Sequence, residues 1–210
     1  MIECNLLIDR HLAFSPKGLQ SSHRGSLHFD YFYAYSKSQK SISKLVATSA
    51  KTEQTALWLT SYLAHWGMFR GSGQLRETNI LFFKYLVREL LHPNKGVLLP
   101  FFDVSFENLH KKQKSEIDEV LYRMGLIISG AGVSPTATLV SKIILGLTHT
   151  IPAYDRFLII ALRKLKEDGV FVGPIQFGGE SLINLSRWYS SLTWKEIACS
   201  ANGQLKLPSS

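Results

Sequence analysis

Cysteine is scarce in this chain, and its scarcity excludes several kinds of metal site. Among 210 residues only Cys4 and Cys199 occur, too few for a four-cysteine zinc or iron–sulfur site. A disulfide between them could form but is not needed in a domain of this length. The seven histidines are scattered without the spacing of metal ligands. We therefore expect no metal and no organic cofactor.

Long apolar runs are missing as well. No segment reaches the ~20 residues of a membrane-spanning helix, and the first residues lack the apolar core of a signal peptide. The chain also contains no P-loop, no GxSxG motif and no paired dinucleotide fingerprint. The sequence predicts a soluble, cytoplasmic protein that has no membrane partner and no obligate protein partner.

Positive charge, in contrast, is in surplus. The chain has 24 Lys and Arg against 16 Asp and Glu, a net charge of +8. A surplus of this sign favours a polyanionic partner. Because we find no concentrated run of Lys and Arg and no strongly amphipathic basic helix, nucleic acid is favoured over a membrane surface. We expect the partner to be DNA.

Apolar residues recur at helical spacing along most of the chain, and strand-like alternation is scarce. This pattern predicts an all-α fold of about eight to ten helices in a single globular domain over residues 1–210. Residues 1–27 mix apolar and polar side chains and are expected to form an irregular arm. Predicted helices cover residues 28–35, 41–50, 52–69, 78–91, 105–124, 136–147, 155–168, 182–192 and 194–200.

Residues 130–156, GAGVSPTATLVSKIILGLTHTIPAYDR, form the most informative segment. Gly130 and Gly132 predict a tight turn whose backbone amides can bind an anion such as phosphate. A helix follows, Pro152 stops it, and Asp155 stands at the N-cap position of the next helix. A phosphate-binding turn followed by a fixed carboxylate suits an enzyme that holds DNA and acts on one nucleotide.

Hydroxyl groups follow the glycine turn. Ser134, Thr136 and Thr138 can donate hydrogen bonds to phosphate oxygens. Ser134 can equally cap the helix whose first residue is Pro135. The two roles are compatible, because a helix N-terminus is itself a phosphate site.

Asp155 and Lys142 are the candidate catalytic residues. An N-cap aspartate is commonly structural, but the glycine turn, Lys142 and the basic charge favour a functional carboxylate here. Lys142 is either a surface lysine, solvated or on a phosphate, or a side chain in the same cleft as Asp155. In the cleft it would be a nucleophile, a proton donor or a fixed cation near the departing base.

A second candidate region is WGMFRGSGQ, residues 66–74. Its tryptophan is more often a core residue and its arginine is often a salt-bridge residue, whereas a functional role would place these side chains around a flipped base. We favour the core for Trp66 and the functional role for Arg70. The aromatic side chains of HFDYFYAY, residues 28–35, are likewise more often part of a hydrophobic core than of a base pocket. The candidate base pocket consists of Asp30, Tyr31, His65, Trp66, Phe69, Arg70, Gln74, Asn79 and Tyr154.

Gly130-Ala131-Gly132 and Pro152-Ala153-Tyr154-Asp155-Arg156 resemble the helix-hairpin-helix DNA glycosylases. Together with WGMFRGS and TLVSKIILG, they are more specifically similar to the α-glutamyl/putrescinyl thymine pyrophosphorylase-like group. That group includes bacterial antiphage glycosylases that remove α-glucosylated hydroxymethylcytosine from phage DNA.

The resemblance implies a helix-hairpin-helix glycosylase-like helical domain that hydrolyses the N-glycosidic bond of a modified pyrimidine in phage DNA, leaving an abasic site. It also implies a monovalent cation at the hairpin. Glycosylases with lyase activity carry a lysine directly after the hairpin, where this chain has Val133-Ser134-Pro135-Thr136; Lys142 comes about two helical turns later, which favours a monofunctional enzyme. Two alternatives stay open: a transferase forming diphosphate-linked pyrimidines, and a DNA-binding module without catalysis.

Overall fold

The structure, a computed structural model, describes residues 26–39, 41–70, 74–94, 96–102 and 104–191. Within these ranges the chain forms nine α-helices and two 3₁₀ helices, and no strand. The predicted all-α fold is confirmed. The predicted arm, apart from residues 26 and 27, and the predicted helix 194–200 lie outside the described residues.

The bounds of the α-helices are as follows in chain order: α1 Ser26–Ser38, α2 Ile42–Leu45, α3 Ser49–His65, α4 Ile80–Leu91, α5 Leu99–Phe102, α6 Lys114–Gly130, α7 Ala137–Thr148, α8 Arg156–Glu167 and α9 Gly179–Ser191. The 3₁₀ helices are Gln74–Glu77 and Phe106–Lys111. Side-chain oxygens cap the N-termini of four α-helices, a contact that stabilises a helix by about 1 kcal/mol. The capping residues are Thr48, Asn79, Thr136 and Asp155.

Two predicted helices are wrong in part. The helix predicted over residues 41–50 is interrupted at residues 46–48, between α2 and α3. The helix predicted over residues 105–124 is wrong in its first half. The segment Phe106–Lys111 is a 3₁₀ helix, and α6 begins only at Lys114. The cause is a tertiary contact with α9. The Ser186 hydroxyl donates to the carbonyl of Phe106 at 2.6 Å and accepts from the amide of His110 at 2.9 Å. Such long-range bonds override the local helical preference.

Helix α7 lies at the centre of the fold. It packs against α1, α3 and α6, and nine of its twelve residues are buried. A helix that is apolar all round is expected in a core, and α7 carries a single charged residue, Lys142. The buried apolar side chains of the described residues form one cluster around it; a single domain over residues 1–210 stays a prediction.

Gly146 allows α7 to approach α1 and α3 closely. A Cβ atom at this position would lie 2.7 Å from Cε1 of Tyr62 and 3.2 Å from Cε1 of Phe32, two fully buried rings. We expect Gly146→Ala to lower the free energy of unfolding by about 1–3 kcal/mol through overpacking. Urea denaturation measures the change. Gly130→Ala is the matched control, since nothing lies within 4 Å of a Cβ there. Equal midpoints for the two variants would contradict this packing.

Candidate functional site

Residues 149–155 connect α7 to α8 and position Asp155. His149 ends α7 in a left-handed conformation, with φ 59° and ψ 19°, and its amide donates to the carbonyl of Leu145. The helix therefore stops before Pro152, which the sequence had placed as its terminator. The chain then runs to Asp155, the N-cap residue of α8.

Tyr154 fixes this connection through three hydrogen bonds, two to α7 and one to α9. Its amide donates to Oγ of Ser141 at 2.7 Å, its carbonyl accepts from Oγ1 of Thr138 at 3.0 Å, and its hydroxyl lies 2.7 Å from Oγ of Ser181. Burial raises the pKa of the Tyr154 hydroxyl to about 12. Because Ser141 precedes Lys142 and Tyr154 precedes Asp155, the Ser141 bond holds the backbone segments of the two candidate catalytic residues close to each other.

These contacts correct two expectations. Tyr154 is 2% exposed and lies in the core rather than on the wall of a base pocket. Thr138 donates its hydroxyl to a carbonyl of the chain rather than presenting it to a phosphate. Both residues hold the turn before Asp155 in place, because a buried turn must satisfy its backbone polar groups internally.

The Ser141 bond predicts a measurable stability effect. Ser141→Ala leaves the buried amide of Tyr154 without its acceptor, and we expect a loss of about 1–3 kcal/mol in the free energy of unfolding. Ser190→Ala is the control: its hydroxyl donates to Arg187 on the exposed side of α9, and it should shift stability by less than about 0.5 kcal/mol. Chemical denaturation measures the free energy of unfolding of both variants. An unchanged value for Ser141→Ala would contradict a stabilising role for the hydrogen bond between Ser141 and Tyr154.

The carboxylate of Asp155 is held by the helix that it caps. Its Oδ1 atom accepts from the amides of Phe157 at 3.0 Å and Leu158 at 3.1 Å. The predicted N-cap is confirmed. Both bonds go to the same oxygen, and Oδ2 receives no hydrogen bond from the described residues. The residue is half-buried, so one carboxylate oxygen is fixed and the other is left for a different contact.

Lys142 is buried, with 5% of its surface exposed. Its Nζ atom lies 3.5 Å from the carbonyl oxygen of Trp66, 3.8 Å from Sδ of Met68 and 4.7 Å from the centre of the Trp66 ring. Burial lowers the pKa of Lys142, and the carboxylate of Asp155 partly offsets this by raising it. The two do not form an ion pair at 4.0 Å or less, so they interact through space.

This environment decides between the two interpretations of Lys142. The surface-lysine interpretation is wrong, since the ammonium group is enclosed by α7 and the end of α3. A buried cation without an ion pair is costly to keep, and a titratable group whose pKa is shifted by burial next to a charge is typical of functional sites. Lys142 and Asp155 together form the candidate site.

Of the described residues in the range 66–74, Trp66 and Met68 contact Lys142. Trp66 is half-buried and packs edge-on against Tyr62 at 6.1 Å between ring centres, which supports the core role. Its indole Nε1–H is buried and has no hydrogen-bond partner among the described residues. Phe69 packs against Phe83 at 5.9 Å. Sequence analysis missed Met68, because nothing in its local pattern separates it from a core methionine.

The other predicted pocket residues do not converge on Lys142. Arg70 is exposed, and the exposed His65 has Nδ1 2.7 Å from the carbonyl of Ser61. Asn79 caps α4 with its Oδ1. Tyr31 is exposed and lies beside Trp58 on α3, two helical turns or about 12 Å from Trp66. The side chains of Asp30 and Gln74 lie outside the described residues.

The glycine turn after α6 is a helix cap. Gly132 has φ 81°, as a tight turn requires. However, its amide donates to the carbonyl of Ser129, and the amides of Ala131 and Val133 donate to carbonyls of the last helical turn. The expectation that this turn exposes free amides for a phosphate is therefore wrong. The carbonyls of the last turn of α6 take up the backbone amides that a phosphate would need.

A cavity of about 570 Å³ lies elsewhere, between the start of α3 and α4. It contains none of the predicted site residues. Its lining combines hydroxyl, basic and apolar side chains: Val46, Ala47, Thr48, Ser49, Thr52, Leu81, Lys84, Tyr85 and Arg88. Of its two cations, Lys84 is paired with Glu53 at 3.0 Å and Arg88 with Glu89 at 3.3 Å, so this cavity adds little net charge for a ligand.

Within the described ranges no group of three or more His, Cys, Asp or Glu is arranged to hold a metal ion. No helix among these residues has both the length and the apolar character to cross a membrane. No protein-family model, curated protein or solved structure matches the chain.

Proposed function

We propose that this chain is a monofunctional DNA glycosylase that hydrolyses the N-glycosidic bond of a modified pyrimidine and leaves an abasic site. The observation that carries the proposal is the pairing of a helix-capping carboxylate, Asp155, with a buried lysine, Lys142. A negative and a positive group held at one place suit a reaction in which opposite charges separate.

In this reaction the C1′–N bond breaks and its electron pair stays with the departing base. The deoxyribose becomes oxocarbenium-like, and the carboxylate of Asp155 stabilises its positive charge. Water then bonds to C1′ and gives up a proton. The base takes up a proton in its turn, so that the products are the free base and the abasic site.

Lys142 acts as a fixed cation in this scheme, stabilising negative charge on the departing base. A nucleophile would have to reach C1′ of a nucleotide, whereas the Lys142 ammonium is enclosed by Trp66 and Met68. Its burial therefore supports hydrolysis by water over a covalent sugar–lysine intermediate.

In this scheme the N-terminus of α7, rather than the glycine turn, binds a DNA phosphate. Ser134 and Thr136 are exposed there. Thr136 accepts the amide of Leu139 on its hydroxyl oxygen, and its hydroxyl proton can still be donated to a phosphate oxygen. The net charge of +8 adds a general attraction for DNA. A monovalent cation near Gly130 and Gly132 stays a prediction.

The proposed substrate is phage DNA that carries glucosylated hydroxymethylcytosine, and the proposed role is antiphage defence. The test is mass spectrometry of bases released by the purified full-length chain from a panel of modified DNAs. We expect release of the glucosylated base and none from unmodified DNA. Absence of release from every DNA in the panel would refute the proposal.

A DNA-binding module without catalysis is the second candidate. One observation favours it: Tyr31, His65 and Arg70, which were expected to surround a flipped base, are exposed and are not among the residues that contact Lys142. This candidate predicts salt-sensitive DNA binding with no base release, and Asp155→Asn would then change nothing.

A further inference from the structure

Helix α8 begins immediately after Asp155 and exposes apolar side chains on its outer face. Phe157 is 66% exposed and Ile160 is 58% exposed. Positions 157, 160, 161 and 164 follow helical spacing and share one face. The inner face is formed by Leu158, Ile159, Leu162 and Leu165, of which Leu162 is fully buried. The exposed ring of Phe157 thus lies two residues after the candidate catalytic carboxylate of Asp155.

Cationic side chains border this apolar stripe. Arg156, Arg163 and Lys164 are exposed on α8, and the guanidinium carbon of Arg156 lies 4.8 Å from the centre of the Phe157 ring. The expectation that the chain has no basic amphipathic helix is therefore wrong. We name Arg156, Phe157, Ile160, Arg163 and Lys164 the basic ridge.

The position of Phe157 relative to Asp155 is fixed by a hydrogen bond. The amide of Phe157 donates to Oδ1 of Asp155 at 3.0 Å, so the backbone of Phe157 is held next to the carboxylate that faces the reacting sugar in the proposed function. A nucleotide that leaves the stack opens a gap about 3.4 Å high per base step. Apolar side chains inserted at such steps are a recurrent device of DNA-binding proteins.

We propose that Phe157 enters the base stack of DNA where the target nucleotide leaves it, while the cations of the basic ridge bind the neighbouring phosphates. This inference rests on the proposed function, since it takes DNA as the partner and Asp155 as the group that faces the sugar. We favour DNA over a membrane surface as the partner of the basic ridge. The ridge exposes two large apolar side chains, Phe157 and Ile160, and its other three residues are cations.

Photocrosslinking locates the contact without any bond cleavage. The probe is a short DNA duplex that carries a tetrahydrofuran abasic-site analogue with 5-iodouracil as its neighbour, incubated with the full-length chain. Trypsin cleaves after Arg156 and Arg163, so a crosslink at Phe157 is found on the peptide of residues 157–163. We expect this crosslink in the wild type and a loss of at least about tenfold in yield for Phe157→Ala, as for a lost base-stacking contact.

Two variants serve as controls. Phe157→Trp should keep the crosslink, because it keeps an aromatic ring at the position. Tyr122→Ala should also keep it, since Tyr122 is an equally exposed aromatic residue, at 64%, on α6. The same yield in Phe157→Ala as in the wild type, a crosslink on another peptide, or binding to vesicles of anionic phospholipid but not to DNA would each overturn the inference. Base release is measured separately, so failure of the proposed function is recognised by itself.

Discussion

Asp155→Asn is expected to lower the rate of base release by roughly a hundredfold to a thousandfold, the usual cost of removing one group that stabilises transition-state charge. The substitution removes the negative charge but keeps an oxygen that can accept the amides of Phe157 and Leu158. Asparagine is as good an N-cap as aspartate. We therefore expect the free energy of unfolding to change by less than about 0.5 kcal/mol.

A matched control for Asp155→Asn is available on α4. Asn79 caps that helix in the same way, with Oδ1 accepting from Leu81 and Phe82. Asn79→Ala should cost about 1 kcal/mol of stability and leave base release unchanged. Rates from base-release assays and stabilities from urea denaturation together separate capping from catalysis. Full activity in Asp155→Asn would remove Asp155 from the mechanism.

Lys142→Met is expected to reduce base release by about a hundredfold or more and, at the same time, to leave the protein as stable as the wild type or more stable. Methionine has a similar shape and fills the space beside Trp66 and Met68 without a buried charge. Replacing buried charged groups by apolar ones is often neutral or stabilising by about 1–4 kcal/mol. A gain in stability with a loss of activity is the signature of a residue kept for function.

The pH dependence of this stability difference has a definite sign. The pKa of Lys142 is lowered in the folded chain by burial, whereas in the unfolded chain it is about 10.4. Between these two values the unfolded state binds more protons at this position, so the stability of the wild type rises with pH. The advantage of Lys142→Met should therefore be largest below the folded-state pKa and shrink as the pH rises through that window.

Denaturation of the wild type and of Lys142→Met over a series of pH values measures this trend. Lys111→Met is the control, because Lys111 is an exposed lysine of the 3₁₀ helix Phe106–Lys111, and its substitution should shift stability by less than about 0.5 kcal/mol at any of these pH values. A marked loss of stability in Lys142→Met would show that the ammonium group has a structural role.

Local features of the candidate site could be predicted from the sequence. Asp155 as an N-cap follows from its place after Pro152 and before a helical pattern, and the capping bonds have the expected form. The positive φ of Gly132 follows from its residue type. What the turn does with its amides could not be predicted, because the carbonyls of α6 compete with a phosphate for the same donors.

Features that depend on contacts between distant parts of the chain could not be predicted from the sequence. The atoms around Nζ of Lys142 come from Trp66, 76 positions earlier, so periodicity alone could not separate a buried lysine from a solvated one. The 3₁₀ segment Phe106–Lys111 depends in the same way on Ser186, far along the chain. For α8, the helix follows from the pattern of residues 155–168, but which of its side chains stay exposed beside Asp155 depends on the packing of the whole chain.

The fate of the N-glycosidic bond tests the central claim most directly. The measurement is mass spectrometry of both products after incubation of glucosylated phage DNA with the chain, without Mg²⁺ or nucleotide. We predict the intact modified base in solution and an abasic site in an unbroken DNA strand. A base that stays in the DNA, or that changes only when Mg²⁺ and a nucleoside triphosphate are added, would contradict the account.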